Sequence, residues 1–121
     1  MAAPNLVNVA TITAKSKQQA LDTTLTTEIL ANASSSGKVF KVNNILIANI
    51  DGSNAVDISV FITKSGGSPI AIASTISVPA DSSLVVIDKN SALYLEEVDN
   101  IEAGAGAASD AVININYEEL S

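Results

Sequence analysis

The hydrophobic pattern of the chain is organised around Lys38 to Thr63, KVFKVNNILIANIDGSNAVDISVFIT, which reads as two long strands. Val56, Ile58, Val60 and Ile62 alternate with Asp57, Ser59 and Thr63, with Phe61 as the exception. This is the period-2 pattern of a strand with one face buried. In the preceding arm, Val39, Phe40, Val42, Ile45, Leu46, Ile47, Ala48 and Ile50 fall on both faces. That pattern predicts a strand covered on both sides, or one whose outer face meets another protein. The two arms are expected to form a hairpin closed by the turn Asp51, Gly52, Ser53 and Asn54.

Further strands are expected on either side. Leu6 to Ala14 is one, followed by a polar turn at Lys15 to Gln19, a short strand at Ala20 to Asp22 and a longer one at Thr23 to Ala33. The repeated Thr argues against helix there, since β-branched residues lose rotamer freedom against the preceding turn; local helix at Gln18 to Leu21 or Thr24 to Ala31 is the alternative. Beyond the turn cluster at Lys64 to Pro69, Ile70, Ile72, Ile76 and Val78 share one face of a strand bounded by Pro79. Leu84 to Asp88 and Ala92 to Leu95 are short strands, and Asp110 to Glu119 closes the chain in clear alternation. The stretch from Glu96 to Ser109, acidic and then small, is expected to be loop, with Gly104 and Gly106 allowing a sharp bend. About eight strands with turn signals every 8 to 12 residues predict one all-β domain over residues 1–121. Its fold would be an antiparallel β-sandwich, immunoglobulin-like or jelly-roll-like, with residues 1–9 as an extended N-terminal arm. The predicted core is Val56, Ile58, Val60, Ile62, Ile72, Ile76, Ile113, Ile115 and Tyr117.

Composition narrows the chemistry. Hydrophobic residues make up 47% of the chain but aromatics only 3%, so the core must be built from Val, Ile, Leu and Ala. Cys and His are both absent, which removes disulfides, thiolate nucleophiles, Cys-type zinc sites and the usual general base near neutral pH. The net charge of -7 argues against nucleic acid and anionic lipid as partners. No stretch approaches the roughly 20 apolar residues of a membrane-spanning helix, and the first residues lack the pattern of a signal peptide. Synthesis in a cytoplasm is therefore expected.

Several groups invite a chemical reading and have a simpler one. Asp51, Ser53 and Asp57 offer oxygens to a hard cation, but without the later Glu of an EF-hand loop they read as a solvated turn. Glu96, Glu97, Asp99 and Glu102 form the densest acidic run, most simply a solvated rim. Glu118 and Glu119 with Asp99 could supply paired carboxylates for glycoside cleavage, yet two Tyr and two Phe cannot floor a sugar cleft. Gly104, Ala105 and Gly106 are half of a phosphate-loop pattern with acid before it, so a turn. Asn32, Ala33 and Ser34 match a glycosylation acceptor by chance. No catalytic, cofactor-binding or metal site is assigned.

The segments VFKVNNILIANIDGSNAVDISVFI, IAIASTISVPADSSLVVIDKNSALYLEEVDNI and ININYEELS resemble the small virion structural proteins of tailed phages. The nearest likeness is to those of contractile-tailed phages of marine cyanobacteria. That group has a similar order: an ANIDG turn after a strand, an IAST strand, a VPAD turn, a LYLEE(G/V)D segment and a terminal YEE followed by Ile or Leu and Ser. The likeness runs from Gly37 to Ser121. Val98 stands where a Gly is expected after Glu97, so that turn is expected to be less tight. The resemblance implies a non-enzymatic component of the virion, made in the host bacterial cytoplasm, in a homo-oligomer or multi-copy assembly. Its partners would be other virion proteins, either the major capsid protein or tail proteins. A capsid decoration (cement) protein on the head shell is the favoured role. The alternatives are a tail, neck or baseplate component, or a carbohydrate- or host-receptor-binding module. In either particle role the arm's Asn5, Leu6 and Val7 are the expected assembly contact, adding a strand to a neighbour's edge; the simpler reading is that they pair within their own sheet.

Overall fold

The computed structural model describes residues 9–121. They form an antiparallel β-sandwich of nine strands: β1 (Ile12–Ala20), β2 (Thr27–Ala31), β3 (Val39–Asn49), β4 (Val56–Thr63), β5 (Ile70–Val78), β6 (Ser83–Ile87), β7 (Leu93–Leu95), β8 (Asn100–Ala105) and β9 (Ala111–Leu120). Among the described residues the only helical element is a 3₁₀ turn at Lys89–Ser91. One sheet has the order β1-β9-β3-β6, with β7 also paired to β3, and the other has β2-β8-β4-β5. Strands β1 and β9, β2 and β8, β3 and β6, and β4 and β5 pair as nested partners. The chain is thus one long hairpin, rolled until β9 also pairs with β3 and β8 with β4. This is the jelly-roll topology, which settles the choice between the two sandwich types.

The core lies between the sheets. Val42, Ile45 and Ile47 from β3 and Ile113 and Ile115 from β9 face Ile58 and Val60 from β4 and Ile101 and Ala103 from β8, all fully buried. Each Val or Ile among them contributes roughly 1.5–3 kcal/mol relative to exposure. The Phe40 and Tyr117 rings close one end, with centroids 5.2 Å apart.

The hairpin expected at Asp51 to Asn54 is a corner between sheets. Strand β3 pairs with β6, β7 and β9, whereas β4 pairs with β5 and β8. The pattern over β3 has a physical cause: a bulge between Val42 and Asn44 shifts its register on β9. Inward positions are therefore even before it (Phe40, Val42) and odd after it (Ile45, Ile47, Asn49). One inserted residue reverses the faces of a strand.

Strand β1 starts later than expected and takes in the polar segment Lys15 to Gln19, pairing along its length with β9 from Ile12 opposite Leu120 to Ala20 opposite Val112. An edge strand with nearly all side chains in solvent needs no apolar face, so its sequence looks like a turn. The strand expected over Thr23 to Ala33 shortens to β2. Strand β8, expected as loop, runs through the middle of its sheet between β2 and β4. Gly104 does not bend the chain. A Cβ there would sit 2.5 Å from both Leu25 Cα and Thr24 O, so the glycine lets the 24–25 backbone cross the sheet.

Of the predicted core, Val56, Ile58, Val60, Ile113, Ile115 and Tyr117 are buried, and Ile62 and Ile72 are half-buried. Ile76 is not a core residue: it is 39% exposed, because β5 is a sheet edge with no strand beyond it. Two register shifts against β4 also break β5's alternation, so Ala73 takes the buried place.

Candidate assembly surface and the polar pins behind it

The expected contact residues Asn5, Leu6 and Val7 lie outside the described residues. The root of their arm is fixed: the N–H groups of Ala10 and Thr11 donate to Ser121 O at 2.7 and 2.9 Å, and the Ser121 N–H donates to Thr11 O at 2.9 Å. Ala10 and Thr11 therefore lie beside the end of β9.

The motifs of the sequence meet in three polar pins. At the corner, Asn49 is 2% exposed; its amide donates to Asn54 O and Val78 O, both at 2.9 Å, and its Oδ1 accepts from the Asp51 N–H at 2.9 Å. The ANIDG and VPAD turns close on each other through Asn49 N to Ser82 O at 2.8 Å and Asp81 N to Asp51 O at 3.2 Å. The Ser53 N–H, helped by Asn54 and outweighing desolvation, holds the Asp51 carboxyl below the usual carboxylate range. Asp51 thus caps its own turn, and Asp57 is exposed on β4.

The second pin is Asn32, buried to 1%, whose amide donates to Lys38 O at 2.8 Å and Leu95 O at 3.0 Å while Oδ1 accepts from the Ser36 hydroxyl at 2.6 Å. A side chain so used is closed to glycosylation. The third pin corrects the solvated-rim reading of the acidic run. Asp99 is 1% exposed and accepts from the Ser65 N–H at 3.0 Å and the Glu96 N–H at 2.8 Å, and Lys64 pairs with it. Glu97 accepts from the Gly37 N–H at 2.9 Å, and Glu102 accepts from the Thr63 hydroxyl at 2.7 Å. Val98 keeps the turn as tight as a glycine would, at φ 75°, in the left-handed region that a β-branched residue occupies only under strain.

The carboxylates weighed as a glycosidase pair serve separate partners. Glu119 binds Lys38 at 3.0 Å and Lys15 at 3.3 Å, and Glu118 accepts from the Asn43 amide at 3.2 Å. Burial raises the Glu119 pKa, but the two lysines outweigh it and leave the carboxyl below its ordinary value. Burial and the Glu119 charge push the Tyr117 phenol up. Among the described residues no three acidic side chains gather to hold a metal, and no helix is long and apolar enough to cross a membrane.

Outside the core, Ile12, Ile50, Ile70, Val85, Tyr94 and Val98 stand in solvent. The bulge in β3 also turns Asn43 and Asn44 toward a shallow depression that they share with Lys41, Lys89, Asn116 and Glu118. Sequence reasoning missed all three pins. The only signal for them was an Asn or Asp beside a strand end, where the chain must turn and satisfy its own backbone.

The fold and these surfaces define a jelly-roll domain whose buried Asn32, Asn49 and Asp99 hold its own turns. No family model, no curated protein and no solved structure matches the chain.

Proposed function

We propose that this protein is a non-enzymatic structural component of a tailed-phage virion, serving as a capsid decoration (cement) protein on the head shell. The observation that carries the reading is what the resembling motifs do. ANIDG and VPAD build the corner pinned by Asn49, LYLEEVD supplies Asp99 and the Leu95 carbonyl that Asn32 grips, and YEELS supplies Glu119 and the Ser121 clamp. Jelly rolls are an architecture of viral capsid domains, although a fold alone does not set a function. An acidic chain without His or Cys fits a part that is made in many copies in a bacterial cytoplasm and has no reaction to perform. Asn5, Leu6 and Val7 remain the proposed contact with the neighbouring virion protein.

Labelled localisation on intact particles tests the role. Hundreds of copies over the head shell are expected, and a single ring or a few copies at the tail would reject decoration in favour of a neck, tail or baseplate part. A second reading, a carbohydrate-binding module, draws on the amide-rich depression at Asn43, Asn44 and Asn116 and on exposed Tyr94. Reproducible signals on glycan arrays, with and without calcium, would promote it.

A further inference from the structure

The sandwich has four open flanks, and three carry the features that keep sheet edges apart. Strand β1 bears Lys15 and Lys17. Strand β2 has five residues, Glu28 and a register shift. The β6 and β7 flank is broken by the 3₁₀ turn with Asp88 before it and Lys89 in it. Strand β5 shares the irregular register of β2, with two shifts against β4, but it is neither short, charged nor interrupted. It is nine residues long, pairs only with β4, and lies in a stretch, Ser65 to Ala80, that contains no charged residue. Ile70 and Ile76 stand on it 64% and 39% exposed. The left-handed residue Thr75 is held by its N–H to Ser59 Oγ at 3.0 Å, so the bulge belongs to the built edge.

The chain contains one other long uncharged stretch, residues 1–14. Its outer part begins beyond the Ser121 clamp and includes Leu6 and Val7 in a strand-like pattern. At about 3.3 Å per residue, residues 2–8 reach about 23 Å, enough to pair along most of the nine-residue β5. The arm's root is on the flank of β1, whereas β5 lies on the flank of β6, so an arm reaching its own β5 would have to cross the sandwich. A neighbour's edge needs no such crossing. Two copies that each carry a net charge of -7 meet with least repulsion where both are uncharged.

We propose that residues 2–8 of one copy add as a strand to the β5 edge of a second copy. This names the acceptor for the arm, and it stands or falls apart from the head-shell assignment because it concerns the purified protein alone. Reciprocated between two copies, such a contact closes a two-fold dimer; unreciprocated, it runs head-to-tail into rings or chains.

Light scattering coupled to size exclusion, over a concentration series, tests it on three proteins: the full chain, a chain lacking residues 2–8, and a full-length chain with Ile70→Lys and Ser77→Lys at two exposed edge positions. Circular dichroism first establishes that each is folded. The full chain is expected to rise above monomer mass, and each variant alone to stay monomeric. An equal mixture of the two variants should give a dimer, because one still has the arm and the other still has the edge. A full chain that is monomeric throughout would overturn the proposal. So would assembly by the arm-deleted chain, which would mean edge-to-edge pairing, or a mixture that fails to dimerise.

Discussion

Strands β1 and β5 are both nine-residue sheet edges, and they differ in almost everything else. Strand β1, ITAKSKQQA, is polar and carries two lysines; β5, IAIASTISV, is apolar and uncharged. Each lies near a buried carboxylate. Glu119 holds β1 through Lys15, while Asp99 holds the turn into β5 through the Ser65 N–H and Lys64. The difference teaches where the chain is guarded against other chains and where it is left open. It also separates two kinds of residue: pins whose loss should cost stability, and edge positions whose loss should cost assembly.

The largest effect should come from Asp99→Ala, which strands the Ser65 and Glu96 N–H groups and loosens the root of β5. A loss of about 3 kcal/mol is expected in chemical denaturation, where breaking a buried charge anchor has its usual cost. A loss under about 1 kcal/mol would show that the pin does not hold that edge. Asn32→Ala removes two bonds to backbone carbonyls and should cost about 2 kcal/mol, read the same way. Asn32→Ala does not touch the uncharged surface, so that variant, if folded, should keep its state of association.

The counterpart at β1 is weaker. Glu119→Gln should cost about 1 kcal/mol, because Lys15 and Lys38 are nearly half exposed and water replaces much of what they lose. Its pH dependence has a definite sign. The folded-state pKa of Glu119 lies below its unfolded value, so its contribution is present above the ordinary Glu range and is lost as pH falls through the depressed folded value. Denaturation midpoints of the wild type and Glu119→Gln should therefore converge on acidification, and a gap unchanged down to pH 3 would count against the lysine pairing.

How much of this was legible depends on which force shaped each segment. The alternation in β4 and β9 shows one buried face, and both were readable from the residues. Strand β8 was not, because a central strand made of Asn100, Glu102, Ala103 and Gly104 packs against a close backbone and needs small residues more than apolar ones. The parity switch at Asn43 and Asn44 hid the inner face of β3, and no local pattern reveals that β3 and β4 belong to different sheets. For the proposed acceptor edge, the uncharged run from Ser65 to Ala80 lies in the sequence itself; that it forms an open edge does not, since exposure depends on the order of strands.

The smallest stability gain should come from Val98→Gly, which relieves the left-handed conformation at φ 75° and should stabilise by about 1 kcal/mol, offset in part by glycine's greater freedom when unfolded. Destabilisation instead would mean that the Val98 side chain contributes more than its 48% exposure suggests.

The contrast between the two edges is tested most directly by amide hydrogen exchange followed as protein concentration is raised. Backbone protection over Ile70–Val78 should increase with concentration in the full chain and stay flat in the chain lacking residues 2–8, while Ile12–Ala20 changes in neither. Protection that rises over Ile12–Ala20 instead, or over β5 regardless of the arm, would contradict the account.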